Sequence, residues 1–286
     1  MTYELIAFDM DGTLLDSKKE VLPSSVEAMR EAHQAGKTIA ICSGRCPSMV
    51  ELHSADFPLA RYAICGSGST LYDLTERRVL SEHSFDDATI RSIADASDGE
   101  DVMIDAFSDR DFYFQGDALD IMDHFGIGIY TPLYATCGNP VKDIRSFMRT
   151  SGLTYQKINI HCASAKISQR VAARLEGLSL ELAPSESTSL ELSPAGINKG
   201  MGLLALADLL GIDHAATIAV GDSDNDLAML RMAGLGLAMA NANEAARETA
   251  DLVLEHDNDH GGCAEAVRRF LLGDAATGDA AGADAQ

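Results

Sequence analysis

Positive charge is what this chain has least of. Its 286 residues carry 22 Lys plus Arg against 44 Asp plus Glu, a formal charge of −22. Nucleic acids and anionic membrane surfaces attract basic patches, so neither is an expected partner. Cysteine is sparse and unpatterned. The six (Cys42, Cys46, Cys65, Cys137, Cys162, Cys263) show no C-x-x-C spacing and no zinc pattern. Cys42, Cys65 and Cys162 lie in apolar, strand-like runs and read as reduced, buried thiols. No apolar run approaches the length of a membrane span, and Met1-Thr2-Tyr3-Glu4 lacks the basic region of a leader. The expectation is a soluble protein of the reducing cytoplasm. No internal repeat is evident.

What the chain does have is 46% apolar residues, enough for an ordinary globular core, and a length that favours two domains. Leu5 to Phe8 is a short apolar run that reads as a strand buried on both faces, and Asp9 and Asp11 stand just past its end. Ligands of open α/β sheets bind beyond the carboxyl ends of the strands, so acids there are well placed for chemistry. Gly12 permits a sharp departure from the strand. Taken alone, D-x-D-G is equally a strand ending in an Asp-Gly turn.

Three further stretches repeat the theme. Thr38 to Cys42 is a second buried-strand run, ending in Ser43-Gly44-Arg45. Lys199 sits in Gly196-Ile197-Asn198-Lys199-Gly200, just before an apolar helical pattern. Thr217 to Val220 is a third strand run, ending in Gly221-Asp222-Ser223-Asp224-Asn225-Asp226. With these four motifs in order the sequence resembles the haloacid dehalogenase-like phosphatases, and within them the Cof-like branch. The resemblance runs from about residue 3 to residue 272. It implies an α/β fold: a Rossmann-like, doubly wound parallel-sheet core with a large α+β cap inserted between the second and third motifs.

The chain order fits that plan. Ser24-x-x-Glu27 after Pro23 reads as a capping box opening a helix that Gly36 would stop. With the strand at 38–42 it completes a β-α-β unit, so Asp9 and Ser43 emerge at one edge. Arg61 to Cys65 reads as another core strand, ending in Gly66-Ser67-Gly68-Ser69, where family members usually have Asn-Gly-Ala. A small hairpin follows over 71–80. From about Ser84 the texture changes. Helical stretches are expected over 86–96, 117–125, 141–150 and 166–175, and strands over 102–107, 111–115, 178–182 and 189–192. Tyr155 to His161 alternates like a half-exposed strand. Core signals return near Leu190. The expected division is a core of residues 1–83 and 188–272, a cap of 84–187, and a low-complexity, disordered tail of 273–286.

The resemblance also implies chemistry. Asp9 would be the nucleophile that forms an aspartyl-phosphate. Asp11 would be the general acid for the leaving alkoxide and then the base for water. Ser43, Gly44, Lys199 and Asn225 would hold the phosphate, and Asp226 would orient Lys199 and the metal. Asp9, Asp222 and the Asp11 backbone carbonyl offer hard oxygen ligands suited to Mg²⁺. In so acidic a chain, any phosphate site must be made locally positive by such a cation, by Lys199 and Arg45, and by backbone N–H groups. Each residue has a plainer reading alone. Ser43 could cap a helix, Lys199 could be a solvated lysine, and Asp226 could be a first-turn acid favoured by the helix dipole. His161 reads as a satisfied sheet residue. The function expected is hydrolysis of small phosphorylated metabolites, by a monomer or weak homodimer. The alternatives are a phosphomutase like the phosphomannomutases, with cap candidates Arg145, Arg149, Lys157 and Lys166 for a second phosphate, and a non-catalytic phospho-ligand-binding regulator.

Overall fold

The computed structural model describes residues 2–185 and 188–273. Of the expected tail, 274–286 lie outside the described residues. The strands in chain order are β1 (Leu5–Phe8), β2 (Thr38–Cys42), β3 (Tyr62–Cys65), β4 (Thr70–Asp73), β5 (Arg78–Glu82), β6 (Val102–Ser108) and β7 (Asp111–Gln115). They continue with β8 (Asn139–Val141), β9 (Lys157–Cys162), β10 (Leu180–Ser185), β11 (Ser189–Pro194), β12 (Thr217–Gly221), β13 (Leu235–Ala238) and β14 (Leu252–Val253).

Eight of these form one sheet in the order β14-β13-β12-β1-β2-β3-β4-β5. The pairs from β14 to β3 are parallel, and β4 and β5 continue antiparallel. Apolar runs make the inner strands: every residue of β1 is fully buried, as parallel strands covered on both faces require. The chain goes from β1 to β2 on one side, and β12 comes in on the other. That reversal of strand order beside β1 opens the crevice in which doubly wound sheets bind ligands. The C-terminal ends of β1, β2 and β12 therefore deliver Asp9, Ser43 and Asp222 to one place.

The second sheet has the order β10-β11-β9-β6-β7-β8 and is antiparallel except for β7 with β8. The helices Asp87–Ala96, Ile144–Thr150 and Ala165–Leu175 pack on one face with the Ile158, Ile160 and Cys162 side of β9. This is the α+β module expected between the second and third motifs. Its strands include β11, which the sequence reading had put at the start of the returning core. We propose that the smaller domain runs from about residue 84 to about residue 195, with the larger sheet and its helices as the core.

Local differences have local causes. The helix Pro23–Gln34 begins at proline itself, with Leu22 as N-cap, so Ser24 lies inside the first turn and makes no capping box. Glu27 pairs with Arg30 instead. The stretch Gly116–Phe125 is a run of 3₁₀ turns broken at Ile121, and the helix expected over 141–150 starts only at Ile144, because Val141 ends the short strand β8. Finally, β9 is buried along its whole length. Its alternation is genuine, but the polar side faces the interior of a crevice rather than solvent.

Candidate active site

Asp9 follows β1, and its backbone N–H donates to the Val220 carbonyl of β12 at 3.0 Å, which fixes it at the sheet's edge. Gly12 then takes the left-handed conformation at φ +81°. A Cβ there would lie 2.5 Å from Asp222 Oδ2, so the turn needs glycine twice over, for its φ and for its lack of a side chain. Thr13 Oγ1 donates to Asp222 Oδ1 at 2.7 Å and ties the first motif to the last.

Lys199 enters from the first turn of the helix Lys199–Leu210, whose N-cap Asn198 accepts from Met201 N–H at 3.0 Å. The lysine is buried, and its Nζ donates to Asp9 Oδ1 at 2.6 Å, to Asp226 Oδ1 at 2.7 Å and to Asn225 Oδ1 at 3.2 Å. Asp226 in turn closes a capping box with Ser223, its Oδ2 accepting from the N–H groups of Asp222 and Ser223 at 2.9 and 3.1 Å. The first-turn acid and the partner of Lys199 are thus one residue. Ser43 is buried beside this group, its Oγ accepting from Arg45 N–H at 3.2 Å.

Carboxylate oxygens of Asp9, Asp222 and Asp226 lie within 4.8 Å of one another. Three carboxylates face one ammonium there. Burial pushes Asp9 well above the usual carboxylate range; Lys199 opposes the shift, while Asp226 and Asp222 add to it. Asp222 is pushed up to about 6, again mainly by burial, with Asp226 adding and the Thr13 hydrogen bond opposing. Burial alone would lower Lys199, but Asp226 and Asp9 hold it well above its ordinary value, so it stays charged. A buried site with this surplus of negative charge and hard oxygen donors fits a divalent cation. Asp226 already uses both oxygens on protein donors, which leaves Asp9 and Asp222 as the better side-chain ligands.

Asp11 stands apart from that group. Arg45 donates to its two oxygens at 3.1 and 2.9 Å, and Lys19 donates to Oδ1 at 2.7 Å. Burial would raise its pKa, but Arg45 and Lys19 together hold the carboxyl below its ordinary value. The sequence reading counted Arg45 only as positive charge for a phosphate and did not consider Lys19. Neither contact carries a spacing signal, since Lys19 reaches back from a loop at φ +64°.

A cavity of about 420 Å³ opens over these residues, within the range of small-molecule sites. Asp9, Asp11, Ser43, Gly44, Arg45 and Asn225 line its floor. The second sheet supplies the roof through Phe107, Lys157, Asn159, His161 and Glu191. Lys157 Nζ donates to Glu191 at 2.6 Å, to the Gly44 carbonyl at 3.0 Å and to Ser67 Oγ at 3.0 Å, joining roof to floor. Ser67 sits at φ +58°, and its hydroxyl also donates to Glu191 at 3.2 Å.

The chain matches the family described as haloacid dehalogenase-like hydrolase over residues 6–267. It is 29% identical to the 5-amino-6-(5-phospho-D-ribitylamino)uracil phosphatase YwtE of Bacillus subtilis, over 94% of this chain and 98% of that one. It is 28% identical to the pyridoxal phosphate phosphatase YbhA of Escherichia coli, over 95% and 100%. A haloacid dehalogenase-like hydrolase from B. subtilis superposes with a TM-score of 0.82 at 26% identity, covering 94% of this chain and all of that one. Among the described residues, no helix is long and apolar enough to cross a membrane. From strand-end carboxylates to inserted second sheet, the chain belongs to the haloacid dehalogenase-like hydrolases and is an enzyme of the phosphatase kind.

Proposed function

We propose that the protein is a Mg²⁺-dependent phosphatase that hydrolyses phosphomonoesters of small metabolites through an aspartyl-phosphate on Asp9. The observation that carries this reading is that buried Lys199 bonds Asp9 and Asn225, both of which line a small-molecule cavity whose wall also holds Asp11 and Ser43. The relatives named as phosphatases of a ribityl-uracil phosphate and of pyridoxal phosphate support substrates of that size. The six free thiols support a cytoplasmic setting, and a monomer or weak homodimer is proposed.

Mg²⁺ would be held by Asp9, Asp222 and the Asp11 backbone carbonyl, and when bound it screens a carboxylate nucleophile from a dianionic ester. An Asp9 oxygen attacks phosphorus while Asn225, Ser43 and, once the ester displaces one of its three present acceptors, Lys199 hold the transferring oxygens. Gly44 contributes close backbone approach. Asp11 gives a proton to the leaving oxygen, and having lost it can take one from the water that opens the aspartyl-phosphate. To carry that proton it must leave Arg45 and Lys19, and the substrate's phosphate is an anion to which Arg45, on the same wall, can turn. Asp226 holds Lys199 in place throughout.

The phosphomutase alternative needs cations on the roof for a second phosphate. Arg145 is spent on Ser97 and Arg149 on Asp95, Lys166 is exposed and does not line the cavity, and Lys157, the cap candidate that does, is paired with Glu191. That favours a monoester hydrolase. The test is phosphate release from a panel of phosphorylated metabolites with Mg²⁺, with Ca²⁺ and after exhaustive chelation. Release should require Mg²⁺ and be inhibited by Ca²⁺, whose coordination is larger and looser. Full activity after chelation would overturn the metal assignment, and binding without turnover would favour a regulator.

A further inference from the structure

The roof of the cavity carries a polar cluster that the proposed phosphoryl chemistry does not use. Asp105, fully buried on β6, accepts from Tyr134 Oη at 2.7 Å, from His161 Nε2 at 2.7 Å and from Asn159 Nδ2 at 2.9 Å. His161 is fixed a second time through Nδ1 and Ser189 Oγ at 2.8 Å. Tyr134 is wedged edge-on against Phe112 and Phe114, with ring centroids 4.8 and 5.3 Å away. Because a carboxylate only accepts, the Asn159 amide has one possible orientation: its nitrogen faces Asp105 and its oxygen is left over. Asn159 Oδ1 is buried and is one of two such side-chain atoms without a partner among the described residues. Buried polar atoms in folded proteins are nearly always paired. Asn159 lines the cavity and is 8% exposed, but its oxygen is covered, so a ligand's donor reaches this rigidly held acceptor only with a small opening of the roof.

The rest of the roof says what kind of group brings that donor. Besides the polar row of β9, the cavity is lined by Phe107, Tyr130, Leu133, Tyr134 and Ile127, with Met49 from the core. An acyclic polyol in this space would press hydroxyls against an apolar wall and leave them unpaired. A ring can lay its faces on that wall and turn one polar edge to Asn159. Lys157 is neutralised by Glu191, so the roof attracts no second anionic group.

We propose that Asn159 determines specificity by accepting a hydrogen bond from an N–H or O–H on the edge of a ring in the substrate's leaving group. Asp105, Tyr134 and His161 act as positioning residues for it. The inference rests on the phosphatase reading above.

The experiment uses the full chain and compares meta- and para-hydroxyphenethyl phosphate with their methyl ethers. Glycerol phosphate serves as an acyclic ester and p-nitrophenyl phosphate as a general probe of turnover. A site built to bond a hydroxyl rejects the analogue lacking its hydrogen, so kcat/KM for at least one hydroxy ester should exceed that of its ether by about 10-fold or more. Both aromatic esters should exceed glycerol phosphate. In Asn159→Leu, which keeps the branched shape and removes the acceptor, the hydroxy-to-ether ratio should fall to near one. Turnover of all esters with no hydroxyl preference overturns the inference and leaves the phosphatase reading standing. A preference that survives Asn159→Leu assigns the contact elsewhere and also overturns it. No release from any ester, p-nitrophenyl phosphate included, removes the phosphatase reading and the inference together. Should Asn159→Leu not fold, Asn159→Ala gives the same readout, and an unchanged hydroxy-to-ether ratio in it overturns the inference.

Discussion

At the residue scale the site is a problem in charge placement. Lys199 places an ammonium among three carboxylates, Asp9 and Asp226 buried and Asp222 half-buried, and both of its carboxylate partners lie within 2.7 Å. Breaking a buried pair by removing one partner strands the other charge, at a cost of about 3–5 kcal/mol. Lys199→Met should therefore lose stability on that order in urea unfolding as well as losing activity. A loss below about 1 kcal/mol would show that Asp9 and Asp226 are solvated without it. Asp11→Asn tests the proposed proton transfer. The swap is nearly isosteric and keeps the backbone carbonyl, but it removes both proton delivery and proton removal. General acid–base catalysis is worth about 10²–10⁴-fold, so turnover of an alkyl phosphate should fall by that much. A nitrophenolate barely needs protonation, so phosphorylation of Asp9 should be far less impaired with p-nitrophenyl phosphate. Rapid mixing should then show a nitrophenol burst near one equivalent per site, followed by slow turnover as the covalent intermediate accumulates. Equal impairment on both substrates with no burst would make Asp11 a structural residue.

At the scale of elements, what was legible followed from local rules. Apolar runs at 5–8, 38–42 and 217–220 became β1, β2 and β12, and the motif residues at their ends meet because parallel strands share an edge. The same rules read β9 only halfway. Lys157, Asn159 and His161 do alternate with Ile158, Ile160 and Cys162, but period alone cannot say whether a polar side meets water or a closed crevice. Their partners Asp105 and Glu191 lie 34 to 56 residues away, at separations no motif encodes. The hairpin of β4 and β5 gives a testable case of an element fixed by one acid. Buried Asp73 accepts from the N–H groups of Thr75 and Glu76, both at 2.9 Å, and from Arg61 at 3.0 Å. Burial pushes its carboxyl up, but these donors outweigh it and the net shift is downward. The unfolded chain then binds the proton more readily than the folded one, so stability rises with pH through the acid range. The contribution is complete above the ordinary carboxylate range and is lost as pH falls through the lowered folded value. Asp73→Ala should cost about 1 kcal/mol per lost hydrogen bond near pH 7. That deficit should shrink in urea titrations below about pH 4. A deficit independent of pH would mean that the side chain acts by packing alone.

At the scale of the whole molecule, each sheet has its own apolar cluster, a third packs Cys46 and Met49 of the first against Met103, Phe107 and Phe112 of the second, and polar links add to that contact. Lys157 of the second sheet reaches Gly44 and Ser67 of the first, and Arg110 reaches Glu51 at 2.9 Å. The chain crosses between the sheets after β5 and after β11. Glu82 and His83 are exposed at the first crossing, and Ala195 and Gly196 at the second. Proteases cut where exposed backbone carries few bonds, and strands within a sheet resist them. A cut near residue 188 would fall beside β11, whose register with β9 and β10 protects it. Limited proteolysis of the full chain should therefore nick near 83 and near 195–196, and the fragment of about 84–195 should be the smaller domain. Mass spectrometry of the early fragments reads the positions directly. Early cuts confined to the interior of that span, with both crossings protected, would refute the proposed division. They would mean that the two sheets unfold as one unit.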